Sequence, residues 1–477
     1  MLKRCSLILL LLSLLVAPQG RVLAQKPEVD FGELEKVLLA ELKETRTPGA
    51  AIAIVSGDRI VYAKGFGVAN VETNAPVTTD MLFRIASVTK MFTATALVTM
   101  AEQGKLKLDA PINSYISGLS PQLSRVTIHQ LLTHTAGTVA EIKRGPTPQP
   151  DLAALARSWK DEQILFDHPG RIYSYSNPGL VLAGLTLQEA GHKPYAALMS
   201  DLVLQPLAMS RTTFSTTEAM TYPLSMGHDI GADKRPTLVR PYPDEAENMP
   251  AGGMISNVAD LSRFAIAFMN DGKLDGKQAL SPAVIAKLST AYVDAHNAAG
   301  DWRQGYGMRV GTYRGVRVVE HRGGTTGFGA LLRMAPEHRF AIIILANSSL
   351  ALLSKTTDKA MELMLPLQAN TEEKPEPSLP LSAAEMNAYS GFYQNGTFKF
   401  QIFRKAEKLY LKVGEDEAPL KKTGARLLSI DEKKEEATAE SALFRNMLLL
   451  PGPDGKIEYL YFVGRALKRL PDANEKR

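Results

Sequence analysis

Cysteine is almost absent from this chain of 477 residues: the single one, Cys5, lies beside the N-terminus, ahead of an apolar run. Nothing beyond it can form a disulfide, supply a thiol nucleophile or build a zinc site from cysteine. A lipidated cysteine would have to follow the apolar run. Histidine is sparse as well, with eight residues. His129 and His134, five apart, share a helix face poorly and lack a third ligand nearby, so buried hydrogen bonding is expected of them, with His134 bracing a loop. An excess of charge of one sign is missing too. The formal charge is +5, and Lys3, Arg4 and Arg21 account for three, leaving +2 for the rest, which gives no reason to expect nucleic acid or an anionic membrane as partner. The apolar run, Ser6 to Ala17, is about twelve residues and too short to span a bilayer comfortably. With Lys3 and Arg4 before it and Val22-Leu23-Ala24 ahead of Gln25, it reads as a secretory signal over 1–24, the alternative being an uncleaved anchor. The expected location is therefore periplasmic or extracellular, with no membrane span after cleavage. No internal repeat is visible.

What is present is ordinary globular composition, 45% hydrophobic and 22% charged, at a length that suits two or three domains. Val29 to Thr45 carries apolar residues at helical spacing. The segments from Gly49 to Val55 and Arg59 to Ala63 flank Ser56-Gly57-Asp58 and predict a β-hairpin that continues through Asn70. A helix is expected from Ser87 to about Gly104, another from Thr127 to Gly137, and a third over Leu180–Gly191. A long one is expected from the Met249–Asp260 stretch to Met269. The polar, proline-containing stretch from Pro223 to Glu247 suits a loop over a cleft. Four strands are read at Gly305–Val310, Val316–Glu320, Gly329–Met334 and Phe340–Leu345, followed by a helix over Leu350–Leu365. A charged, proline-rich linker at 369–382 separates a domain over 25–368 from one over 383–477. Short alternating runs in the latter predict a small antiparallel β-domain or barrel. It contains no histidine or cysteine, and no chemistry is assigned to it.

The chemistry concentrates in three places. Ser87-Val88-Thr89-Lys90 sets a hydroxyl and an ammonium three residues apart at a helix start, close enough to touch. A serine hydroxyl needs a neighbouring base to become a nucleophile, and a desolvated lysine could be that base or could keep a tyrosine ionised. In the loop from Phe166 to Gly179, two Pro-Gly pairs forbid regular structure, and Tyr175 and Asn177 project the same way from an extended segment. His321-Arg322-Gly323-Gly324 falls between the second and third of the four strands, where glycine lets the backbone approach a ligand and expose an amide donor. Each signal alone is weak; in this order and on these elements they are jointly specific.

Together these motifs resemble the serine β-lactamase and penicillin-binding protein superfamily, in its class C-like branch of esterases, D-amino-acid peptidases and D,D-peptidases. Ser87-Val88-Thr89-Lys90 matches S-x-x-K, Tyr175-Ser176-Asn177 matches Y-x-N, and His321-Arg322-Gly323 is the H-x-G form of K-T-G. The phrases Leu131–Gly137 and Ala251–Ser256 also fit, and the likeness covers roughly residues 32 to 368. The resemblance implies an α/β sandwich of the β-lactamase/transpeptidase type, an antiparallel sheet flanked by helices plus an all-helical lobe, with a lipocalin-like C-terminal appendage. No cofactor or metal is expected: a metallohydrolase, the runner-up enzyme class, would need ligand clusters that the sequence lacks. Ser87 would form an acyl-enzyme with Lys90 and Tyr175 sharing the base role, and Asn177, His321, Arg322 and Gly323 would bind substrate. The backbone N–H groups of Ser87 and Gly324 would form the oxyanion hole. The expected substrate is a small ester or a D-amino-acid peptide, peptidoglycan among the candidates. Because His321 replaces the usual lysine, weak or absent β-lactamase activity is expected. The alternative is a penicillin-binding sensor or cell-wall module that acylates without turnover; the sequence leaves the oligomeric state open.

Overall fold

The structure is a computed structural model and describes residues 29–142, 151–231, 233–243, 248–296, 301–369, 378–431, 444 and 446–471. The expected signal segment, most of the 369–382 linker and the last residues of the Pro223–Glu247 loop lie outside that set.

A nine-stranded antiparallel sheet forms the centre. Its order is Val293–Asp294, Trp302–Gln304, Arg309–Tyr313, Val316–Thr325, Phe328–Ala335, Phe340–Ala346, Gly49–Ser56, Arg59–Asn70 and Ala75–Pro76. The N-terminal hairpin therefore docks on the last strand of the C-terminal meander, with Ile52 opposite Ile344. Gly49–Ser56 is apolar without alternation because both faces are buried. Ala51, Ala53 and Val55 enter the core shared with the helical lobe, while Ala50, Ile52 and Ile54 pack under the helices Gly32–Thr45 and Ser354–Met364. The Glu41 carboxylate ties those two helices together, accepting from the backbone N–H groups of Lys355 and Thr356 at 2.9 and 2.8 Å, where a helix start favours an anion.

Several elements differ from the sequence expectation for identifiable reasons. The Ser87 helix opens with a 3-10 turn at Ala86–Val88 before the α-helix Thr89–Glu102. The helix expected from Thr127 to Gly137 is only Ile128–Leu132; Thr127 and Gln130 form a capping box, but His134 takes a left-handed φ of 56° and turns the chain. The long helix to Met269 is broken. Met249–Gly252 is one short helix, Ile255–Ser256 is a strand, and Asn257 caps a second helix, Val258–Met269, by accepting from Asp260 N–H. The 180–191 helix starts earlier, at Asn177, with Ser176 as its cap and Pro178 inside its first turn. The second strand of the meander runs on to Thr325, so the His321 motif lies within a strand.

The C-terminal region closes into an eight-stranded barrel running from Gly391–Asn395 to Arg465–Arg469, shut by pairing of its first and last strands at Tyr393 and Arg469. Closure leaves no free sheet edge. Inside it pack Tyr393, Phe400, Leu411, Leu428 and Leu460, and a separate small cluster of Ile172, Tyr173, Ala295, Tyr459, Tyr461 and Ala466 joins barrel to sheet domain. Beneath that cluster the buried Asp167 carboxylate accepts from Tyr459 Oη and from Lys468 Nζ at 2.9 Å. No helix among the described residues is long and apolar enough to cross a membrane.

Candidate active site

Ser87 sits on a backbone turn that only tertiary packing can hold. Ala86 before it has φ 47°, a left-handed conformation that costs an alanine about 1 kcal/mol or more. The turn is gripped from two sides. Phe83–Arg84 pairs with Ile255–Ser256, and Ile85 N–H donates to Met254 O at 3.1 Å. On the other side the His321 strand runs so close that a Cβ on Gly323 would lie 2.2 Å from Ile85 O. The glycine there is required by the approach of the Ile85 backbone, where the sequence suggests the approach of a ligand.

One turn on, Lys90 is fully buried and its Nζ donates to Ser87 Oγ at 3.0 Å, Asn177 Oδ1 at 2.7 Å and Ala251 O at 2.7 Å. Three acceptors match the three protons of an ammonium. Thus the broken Met249–Met269 stretch serves the site: its first piece delivers a carbonyl to Lys90. Tyr175 Oη donates to Ser87 Oγ at 2.8 Å, and Lys90 Nζ lies 4.9 Å from the Tyr175 ring centroid. Burial pushes the Tyr175 phenol above its usual range, opposed by its bond to Ser87 and by the charge of Arg465. His134 supports the loop from behind. Its carbonyl accepts from Ser174 N–H at 2.8 Å, its Nδ1 accepts from Ser176 N–H at 3.2 Å, and its ring packs 4.6 Å from that of Tyr175.

The third motif splits. On the Val316–Thr325 strand, Val319 faces the helical-lobe core while Val316 and Val318 face the opposite one, so His321 and Gly323 point toward Ser87 and Arg322 points away. His321 is buried, 6.2 Å ring to ring from Tyr175, and its Nδ1 bonds Arg322 O at 2.7 Å, which makes it the Nδ1–H tautomer. Burial, together with Lys90, lowers its pKa to about 3, so it is neutral at pH 7. Arg322 instead pairs with Glu320 at 3.2 Å, in a cluster that Arg333 joins at 2.6 Å and Arg309 at 3.8 Å. The structure does not bring Arg322 to the other site residues. Gly324, opposite Gly329 near the strand end, is exposed beside the cleft.

Two contributors had no sequence signal. Glu141, in the loop after Gly137, accepts from Asn177 Nδ2 at 2.5 Å and so turns the amide oxygen toward Lys90. The barrel supplies the other: Gly464 O accepts from Tyr175 N–H at 2.8 Å, and the Arg465 guanidinium stands 5.2 Å from the Tyr175 ring centroid. Only the fold brings residues so far apart in sequence together. Beside Asn177 a cavity of about 910 Å³ opens between the helical lobe and the barrel, lined by Glu141, Leu155, Trp159, Phe166, Gln394 and Lys468 among others.

The chain is similar to several known proteins. Penicillin-binding protein 4 of Amycolatopsis lactamdurans is 27% identical over 333 residues, 67% of this chain and 86% of that protein. Unguisins hydrolase ungD of Aspergillus violaceofuscus is 24% identical over 348 residues, 67% of this chain and 61% of that protein. The chain spans 61–62% of the length of several curated relatives it matches. Among solved structures, the crystal structure of SurE covers 92% of this chain and 98% of its own at a TM-score of 0.74 and 24% identity, a likeness of fold. The Beta-lactamase family model matches residues 34–360, and the chain belongs to that family.

Proposed function

We propose that this protein is an exported serine hydrolase that works through an acyl-enzyme on Ser87 and cleaves ester or amide bonds, as an esterase or a D-amino-acid peptidase or D,D-carboxypeptidase. The observation that carries the reading is the Ser87 hydroxyl held at once by Lys90 Nζ at 3.0 Å and Tyr175 Oη at 2.8 Å. In this reading Lys90 Nζ, held against Ser87, Asn177 and Ala251 O, orients the Ser87 hydroxyl, and the base role is assigned to Tyr175 in its phenolate form. Ser87 Oγ bonds to the substrate carbonyl carbon as its proton passes to Tyr175. The carbonyl oxygen becomes an oxyanion between the Ser87 and Gly324 N–H groups. Tyr175 then returns that proton to the departing alcohol or amine as the acyl bond breaks. A water that gives its proton to Tyr175 attacks the acyl carbon, Ser87 Oγ leaves with that proton, and the acid product is released.

The cavity of about 910 Å³ meets the site at Asn177 and is not lined by Ser87, so it supports room for a substrate portion that extends beyond Asn177 rather than for the reacting carbonyl itself. The neutrality of His321 supports weak or absent β-lactam turnover, because it supplies no cation for a substrate carboxylate. Export rests on the basic and apolar pattern of residues 1–24.

The test is intact-mass spectrometry and turnover of wild type and Ser87→Ala with a short p-nitrophenyl ester and a fluorescent penicillin. Ester turnover that vanishes in Ser87→Ala is expected. Rapid penicillin turnover refutes the weak-β-lactamase part, stoichiometric labelling without turnover favours a sensor, and failure of both substrates to react refutes the hydrolase.

A further inference from the structure

The barrel, which carried no chemical signal in the sequence, reaches the centre of the site through its last hairpin. Its turn, Val463-Gly464, connects Ile457–Phe462 to Arg465–Arg469, and both residues have positive φ, 44° and 74°. The hairpin is tied to the Tyr175 loop at successive residues. Gly464 O accepts from Tyr175 N–H at 2.8 Å, and Ala466 N–H donates to Ser174 Oγ at 3.2 Å. Asn395, from another barrel strand, donates to the same Ser174 Oγ at 3.1 Å and accepts from Ala140 N–H at 2.8 Å. Between these anchors Arg465 is fixed in direction. Its guanidinium carbon lies 5.2 Å from the centroids of both the Tyr175 and Phe398 rings. Its Nε is buried with no hydrogen-bond partner among the described residues, and Nη1 makes one long bond to Val463 O at 3.4 Å.

We propose that Arg465 is a positioning residue for Tyr175: its guanidinium, held against the ring by the barrel hairpin, favours the ionised phenol that accepts the Ser87 proton. The inference rests on the reading of Tyr175 as the general base.

The charges around that ring leave this task open. Burial opposes an ionised phenol, and Glu141 and Tyr173 add to the opposition. His321 and His134 are adjacent but neutral, both held far below their usual pKa by burial and by Lys90. On the favourable side stand the Ser87 hydroxyl, Lys90 at 4.9 Å and Arg465 at 5.2 Å. A guanidinium never loses its proton near neutral pH, so its help does not vary across the working range. A side chain needed only for packing between two rings would not require a half-buried guanidinium whose Nε is buried without a partner among the described residues, since an uncharged stem of equal length fills the same space. The barrel is thereby a functional part of the site.

The experiment uses the full-length protein and p-nitrophenyl acetate, a substrate without a carboxylate, so that direct substrate recognition by Arg465 cannot contribute. Wild type, Arg465→Met, Arg465→Lys, Tyr175→Phe and Ser87→Ala are compared by kcat and KM across pH, with thermal unfolding midpoints as a check of folding. Arg465→Met keeps the stem and removes the charge. It is expected to lower kcat/KM about tenfold near neutral pH with little change in KM, and to move the acid limb of the profile to higher pH, because fewer phenols are ionised. Arg465→Lys is expected to recover most of the rate and the wild-type limb. Unchanged kcat and limb in a folded Arg465→Met overturn the proposal. A loss with the limb unmoved and no recovery in Arg465→Lys also overturns it, leaving a packing role. Activity close to wild type in Ser87→Ala or Tyr175→Phe refutes the underlying reading instead.

Discussion

Replacing Gly323 with alanine should damage the site through a single methyl group. An ideal Cβ there would stand 2.2 Å from Ile85 O, a backbone atom, when ordinary contact begins near 3.4 Å. The strand and the Ser87 turn must separate by about 1 Å. That separation strains the turn at Ala86, already at φ 47°, and moves Gly324 N–H away from Ser87 N–H. Overpacking of this kind costs about 1–3 kcal/mol of stability, and a 1 Å misplacement of reacting groups costs roughly 10²-fold in rate. The neighbouring Gly324→Ala is the control. Its Cβ would meet Leu350 Cδ2 at 2.3 Å, the tip of an exposed, flexible side chain that can swing aside. The assay is ester turnover with active-site titration, so that misfolded protein is not counted. Gly323→Ala is expected to lose about 10²-fold in kcat/KM and to melt at lower temperature, while Gly324→Ala retains activity within about fivefold. Equal losses in the two variants, or a Gly323→Ala enzyme with wild-type rates, refute the reasoning.

Tyr175→Phe removes the proposed base while His134 still packs on the ring, and should lower kcat by about 10²–10⁴-fold with little change in melting temperature. Arg322→Ala should leave kcat/KM within about threefold, because its side chain pairs with Glu320 on the far face of the strand; a loss of tenfold or more in ester turnover contradicts that placement. Glu320→Ala, in contrast, strands three arginines and should cost about 3–5 kcal/mol, read as a large fall in melting temperature. For Asp167, burial would raise the carboxyl, but hydrogen bonds from Tyr459 and Lys468 outweigh it and hold the folded pKa below the ordinary carboxylate value. The stabilisation is therefore present above the unfolded pKa of about 3.9 and lost as pH falls through the lower folded value. Melting temperature should drop less with acid in Asp167→Asn than in wild type, and parallel pH curves count against the linkage.

That Ser87 and Lys90 lie on neighbouring faces of one turn follows from their spacing in the sequence, while the strained turn at Ala86 and the acceptors Asn177 and Ala251 that aim Lys90 at Ser87 come from tertiary packing. Apolar runs and turn residues likewise gave the hairpin at Gly57, the last three strands of the meander and the barrel class of the C-terminal region, since each is a local pattern; the strand expected at Gly305–Val310 lies instead at Arg309–Tyr313. The joint order of the three motifs carried the family. Tertiary structure decided the rest. Strand alternation sends Arg322 away from the site, because the His321 motif lies inside a strand rather than a turn. The long helix to Met269 breaks at Gly252-Gly253 because Ile255–Ser256 pairs with Phe83–Arg84 and Ala251 O must reach Lys90. Glu141, from a loop, and Arg465, from a barrel strand, join Tyr175 and Asn177 across dozens to hundreds of residues. Local periodicity carries no information about such encounters; they exist only where the helical lobe, the sheet and the barrel pack against one another.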